Sequence, residues 1–294
     1  MACLSAASAL AGPLAFNITY TQAVQNDANF VSIQSAVNYV TSEYSAMYSD
    51  PITLNFTIDE GAVGLGQSLF SNNYWRGSYA QLTAALAADS KTANDALAVA
   101  SLPATDPYFS GCSNCWYATS ADAKALGLIT DQSVFDGTYT FDNTVSYTYN
   151  PANRGASGLF DFIGVTEHEF SELMGRTSQS SAFGANALDI FRYTAPGVNQ
   201  FNQVSGAYFS FNNGVTNLAG YNSGSGDKQD LNGAVATDPF NASTGPGQAH
   251  ALNTVDLSTL DVIGYDLAVP EPATFAMGLA GFGLLLLRKR KAAR

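Results

Sequence analysis

His168, Glu169 and Glu172 lie within one short stretch, Val165-Thr166-Glu167-His168-Glu169-Phe170-Ser171-Glu172-Leu173-Met174-Gly175-Arg176, of a chain with only two histidines and 12% charged residues. On a helix, residues four apart sit one turn above each other on one face. His168 and Glu172 can therefore point at the same ion while Glu169 stands beside it. Imidazole and carboxylate are both ligands of divalent metals, and a carboxylate next to the ion is placed to take a proton from water. The chemistry expected is hydrolysis by metal-activated water, with His168 and Glu172 as ligands and Glu169 as general base.

This is the spacing of the H-E-x-x-H zinc helix, with Glu172 in place of the second histidine. Zinc accepts a carboxylate oxygen, but the added negative charge makes it a weaker Lewis acid. The longer pattern H-E-x-x-H-x-x-G-x-x-H is met at Gly175 and missed at its last position, which is Ser178. A catalytic zinc needs three protein ligands and one open position. Asp189, seventeen residues after Glu172, would put two anions on one zinc. His250 is the only other imidazole, follows the flexible Gly245-Pro246-Gly247-Gln248-Ala249 run, and is the expected third ligand; its plain alternative is a solvent-exposed loop histidine. The plain alternative for the helix is an amphipathic one, with Phe162, Ile163, Thr166, Phe170, Leu173 and Met174 facing a core and Glu167 and Glu172 solvated opposite.

Such a helix needs a scaffold. Apolar positions recurring at three and four residues over 30–48 predict an amphipathic helix that Pro51 ends, and strict alternation over 52–58 predicts a half-buried strand. Two Ala- and Leu-rich helices follow at 79–88 and 92–100, then a short helix at 120–126 and strands at 138–141 and 145–149. Beyond the motif helix, 187–193 and 207–211 read as short strands, and 257–265 as a closing helix or strand. Between them, 212–247 is dense in Gly, Asn, Ser and Asp. Asp227, Asp230 and Asp238 in that region are candidate calcium ligands, but EF-hand spacing is absent and solvated turns are expected.

The formal net charge is −12, yet five of the twelve cations fall in the last seven positions, leaving −17 for the rest of the chain. A body that acidic is repelled by phosphate backbones, which excludes nucleic acid as a partner. One Cys-x-x-Cys, Cys112 to Cys115, cannot build a four-cysteine zinc site and lacks the strand-helix setting of a redox motif; a local disulfide or two idle thiols are expected, with export favouring the disulfide. Residues 1–15 are small and apolar without a preceding cation, an incomplete signal peptide or a first apolar strand. At the other end, Val269-Pro270-Glu271-Pro272 leads into about fifteen apolar or small residues and then Arg288-Lys289-Arg290-Lys291. That pattern predicts a short membrane helix with a cytoplasmic C-terminus.

The tail resembles the PEP-CTERM sorting signal of Gram-negative bacteria, which implies export and recognition by an exosortase. The body, over about 16–267, is similar to bacterial metalloproteases that carry such tails, through His168 to Arg176 and the segments Leu188-Asp189-Ile190-Phe191-Arg192-Tyr193 and Leu260-Asp261-Val262-Ile263-Gly264-Tyr265. The resemblance implies an α+β, zincin-like fold: a mixed twisted sheet with a backing helix over the active-site helix, a loop-rich C-terminal subdomain and a C-terminal membrane helix. The chain departs from the metzincin branch in having Ser178 at the third-ligand position and no Met-turn.

The expected organisation is a catalytic domain over 16–268 and a sorting segment over 269–294. The expected function is an exported zinc endopeptidase of the cell envelope acting on peptide or protein substrates, with strands at 138–149 offering an edge to an extended peptide. The rival reading is a non-enzymatic surface or matrix protein with a degenerate motif. No Gly-x-Ser-x-Gly supports a serine hydrolase.

Overall fold

The alternating residues after Pro51 fold as the strand Thr53–Gly61, which runs through the middle of a four-stranded sheet. Leu54, Phe56 and Ile58 are buried on one face, while Thr53, Asn55 and Thr57 stay half-exposed on the other. Ala15–Tyr20 lies parallel to this strand on one side and Gly137–Asp142 parallel on the other. Gly66–Phe70 completes the sheet, antiparallel to Gly137–Asp142 and at its edge. The computed structural model describes residues 14–109, 111–178, 184–200, 205–232 and 237–268.

Two helices pack on the apolar face. Phe162–Leu173 carries the motif and lies against Gly66–Phe70 and Gly137–Asp142, and Phe30–Met47 packs beside it. Phe170 is the meeting point: the rings of Phe16, Phe56 and Tyr139, one from each parallel strand, stand 6.1, 5.1 and 6.0 Å from it. Contacts of this kind add about 0.5–1.5 kcal/mol each beyond area burial, so the helix is fixed to all three strands through one residue. Tyr44 of Phe30–Met47 touches Phe16 and donates a 2.7 Å hydrogen bond to the Glu167 carbonyl, holding the motif helix from behind.

The mixed sheet, the backing helix and the α+β class are as expected, and helices form at Tyr79–Asp89, Ala93–Ala100, Ser120–Ala125 and Thr254–Asp261. Three expectations are corrected. Gly137–Asp142 is an interior strand, because Gly66–Phe70 covers its outer side and is itself the edge on that side, with Gln67 and Leu69 exposed. The stretch 145–149 contributes only Tyr147–Thr148, paired with Phe160–Asp161. The expected strand at 187–193 begins instead with a helical turn, Ala187–Ile190, because Asn186 and Asp189 cap each other's backbone amides before the strand Arg192–Ala195 starts.

The C-terminal part is loop-rich around a small sheet of Arg192–Ala195, Val198–Asn199, Tyr208–Phe209 and Ala219–Gly220. Cys112 and Cys115 are joined as a disulfide. Among the described residues no helix is long and apolar enough to cross a membrane, and the expected C-terminal membrane helix lies outside the described residues, as does nearly all of 1–15.

Candidate metal centre

The motif helix is locked at both ends. At its start, Arg154 donates 3.0 and 2.8 Å hydrogen bonds to the two oxygens of Glu167 and one of 2.8 Å to Asp161, the N-cap residue. Glu167 is thus a buried structural partner rather than a solvated acid, and Glu172 is buried as well. The helix is enclosed on nearly all sides, and the amphipathic alternative does not describe it. At its end, the Gly175 amide donates to the Glu172 carbonyl and the Arg176 amide to the Ser171 carbonyl, with Gly175 at φ +118°. That paired closure requires a left-handed residue, and a Cβ at Gly175 would also fall 2.8 Å from the Asp122 Cβ. The reversal turns the Arg176 side chain back beneath the last turn.

His168 and Glu172 do face one point. His168 Nε2 stands 3.3 Å from Glu172 Oε1 and 3.4 Å from Asp230 Oδ1, and these three residues form the one group among the described residues whose donor atoms converge closely enough for a metal. The other ring nitrogen, Nδ1, is 2.8 Å from the Pro239 carbonyl, an acceptor that makes Nδ1 the donor and aims Nε2 at the carboxylates. Two ligand atoms of a tetrahedral site with bonds of about 2.1 Å lie about 3.4 Å apart, the spacing that both carboxylate oxygens keep from His168 Nε2. Glu172 is held further by Ser68 Oγ at 2.5 Å and by Gln229 Nε2 at 2.8 Å.

The neighbouring charges and burial set the protonation of the cluster. Burial alone would lower the pKa of His168, but Asp230, with Glu172 adding to it, pushes it up to about 10. Burial would raise that of Glu172, but the imidazolium and Arg176 pull it down to about 2. Glu169 goes the other way: burial, and then the charge on Glu172, push it up to about 8. Its carboxylate takes no hydrogen bond from the described residues and lies flat against Gly66, where any Cβ would overlap Oε1. Gly66 is therefore what lets the edge strand pass directly over the Glu169 carboxylate.

A cleft of about 190 Å³ opens here, lined by Gly66, Val165, His168, Glu169, Asp230 and His250 among others. His250 shares the cleft but not the donor set. Its ring Nε2 is 3.0 Å from Thr244 Oγ1 and its backbone amide donates to Asp161 Oδ2 at 3.0 Å. Its Cβ sits against Gly164, one turn before His168. It is buried, not a solvent-exposed loop residue.

The carboxylate that completes the cluster with His168 and Glu172 is that of Asp230, while the other sequence candidate, Asp189, caps Ala187–Ile190. Asp230 and Asp238 are also buried, against the expectation of solvated turns; Asp227 alone of the three is exposed. The loop supplies Asp230 because the Asn222 amide pairs with the Asp230 carbonyl and the Leu231 amide with that of Phe240, folding the segment back under the helix. The sequence carried no periodic signal for it, since loop backbone pairs rather than spacing bring it to the helix.

Beyond the cleft, the last residues of the body are tied down. Leu267 bridges Tyr48, and the Ala268 amide donates to the Met47 carbonyl at 2.8 Å. Residues 268–291 match the PEP-CTERM protein-sorting motif. The PEP-CTERM segment marks the chain for export to the cell envelope and for processing by an exosortase. It begins at Ala268, which makes the last backbone bond to the folded body among the described residues. No curated protein and no solved structure matches the chain.

Proposed function

We propose that the chain is an exported, metal-dependent endopeptidase with zinc as its ion. The observation that carries this reading is the convergence of His168 Nε2, Glu172 and Asp230 on one point beside the unengaged carboxylate of Glu169. His168, Glu172 and Asp230 would hold the ion, which when bound supplies Lewis-acid activation of water and of a carbonyl. Glu169 accepts the proton as water attacks and returns it to the leaving amine, a role that calls for a carboxylate free of other partners.

A peptide fits this cleft better than a small substrate does. The edge strand Gly66–Phe70 runs over Glu169 with its outer side unpaired in the sheet, so an extended chain can add to it and lay a backbone carbonyl above the base. A mixed sheet and a backing helix beside the motif helix are compatible with the zincin-like reading. Incubating the full chain with a peptide library, with and without a chelator, tests the proposal. Cleavage should stop on chelation and return with zinc. Cleavage indifferent to the chelator, or none in the zinc-loaded chain, contradicts it, and the latter favours the surface or matrix protein.

A further inference from the structure

Two carboxylates on one metal carry a formal charge of minus two, where two imidazoles and one carboxylate carry minus one. They also repel each other when no ion is present, and burial strengthens that repulsion. Arg176 sits where both problems would be met. Its Nη1 donates to Asp230 Oδ1 at 2.8 Å and its Nη2 lies 3.5 Å from Glu172 Oε1. These are the same two oxygens that face His168 Nε2, so the guanidinium and the imidazole hold the same pair of ligand atoms.

The guanidinium is itself immobilised. Its Nε donates to Ser171 Oγ at 2.7 Å, its Cζ lies 4.5 Å from the centre of the Phe240 ring, and its side chain is 0% exposed. A fully desolvated cation is costly unless anions are built around it, and among the described residues the carboxylates it contacts are Glu172 and Asp230. Planar fork geometry matters too, since a lysine ammonium is a point charge and cannot span two carboxylates in this way. The glycine turn at Gly175 delivers the side chain to this place.

We propose that Arg176 is a positioning residue of the metal centre, holding Glu172 and Asp230 convergent and cancelling the charge that the second carboxylate adds. The proposal rests on the metal-site reading above. Its test reads metal binding and needs no activity: Co²⁺ titration of the metal-free full chain followed by visible absorption, and Zn²⁺ affinity by competition with a chromophoric chelator. Arg176→Gln should weaken binding by about 10- to 100-fold, the usual loss when a group that orients a ligand is removed. Arg176→Lys should recover only part of it. The double variant Glu172→His/Arg176→Gln leaves one carboxylate to hold and should return to within a few fold of the parent.

A folded Arg176→Gln that binds like the parent overturns the proposal, as does a double variant no better than Arg176→Gln. Where Arg176→Gln does not fold, the double variant decides: binding near the parent supports the proposal, and absent or weak binding overturns it. If the double variant also fails to fold while Glu172→His alone folds, Arg176 belongs to the fold and the proposal falls. A parent that binds no ion overturns the metal-site reading itself, a result distinct from all of these.

Discussion

Two regions of this molecule bury several acids together, and they treat them differently. In the cleft, Glu172 and Asp230 face a fully buried guanidinium and an imidazole, and Glu172 is held ionised, its pKa pulled down to about 2. At the pole where the PEP-CTERM segment begins, Lys91, whose side chain is 57% exposed, pairs with Asp89 and Asp266, and Asp50 stands beside them, accepting from the Asp266 amide at 2.9 Å. There burial, with Asp266 adding to it, pushes Asp50 up to about 8, and burial pushes Asp89 up to about 6. An exposed ammonium is screened by water and offsets little, whereas a buried guanidinium acts at low dielectric. Buried acids alone therefore do not mark a site; converging donor atoms with a built counter-charge do.

The largest effect expected separates the base from the ligands. Glu169→Gln should lower peptide hydrolysis by about 10²- to 10⁴-fold while metal affinity stays near the parent's, since Glu169 is assigned proton transfer and no coordination. Undiminished cleavage by this variant would break the assignment. Next in size is the ligand comparison. Asp230→Ala should lose more than the roughly 100-fold in zinc affinity that bounds orienting groups, and His250→Ala should bind like the parent. The reverse order would restore His250 as the third ligand.

A third buried ion pair sharpens the contrast from outside the cleft. Lys124 Nζ lies 2.6 Å from Asp136 and also donates to the carbonyls of Thr53 and Val134 at 2.9 and 2.8 Å, with both side chains fully buried. It ties the helix Ser120–Ala125 to the sheet. Lys124→Met leaves Asp136 unpaired and should cost about 3–5 kcal/mol of stability, measured by denaturant unfolding, with zinc affinity of the folded fraction unchanged. A fall in zinc affinity would show that buried pairs here are not separable in the way proposed.

The smallest effect belongs to the tail-end pole. Asp50 keeps its proton to about 8 when folded, against 3.8 as its ordinary value. The folded state therefore binds more protons than the unfolded one between these values, and stability falls as pH rises through that window. Asp50→Asn mimics the protonated side chain, so the loss of Tm between pH 5 and pH 8 should shrink by a few degrees, as about 1 kcal/mol is worth for a domain of this size. An unchanged pH dependence would mean that Lys91 neutralises the cluster despite its exposure.

Much of this was legible in the residues. Alternation at Leu54, Phe56 and Ile58 and three- to four-residue spacing at Val37, Val40 and Tyr44 named the central strand and the backing helix, because each buries one face only. His168, Glu169 and Glu172 were legible because they sit on one helix, where spacing fixes geometry. Gly66–Phe70 was not, since an edge strand with Leu69 and Gln67 exposed leaves no apolar period. Asp230 was not either: it reaches the helix through loop backbone pairs that leave no periodic trace, and in a Gly- and Asn-rich segment one acid reads like any other.

The central claim is that His168, Glu172 and Asp230 bind one divalent ion, and calorimetric titration of zinc into the metal-free full chain tests it most directly. The account predicts one ion per chain for the parent and none at comparable affinity for His168→Ala or Asp230→Ala, each shown to be folded. A parent that binds no zinc, or binding undiminished in both variants, would contradict it.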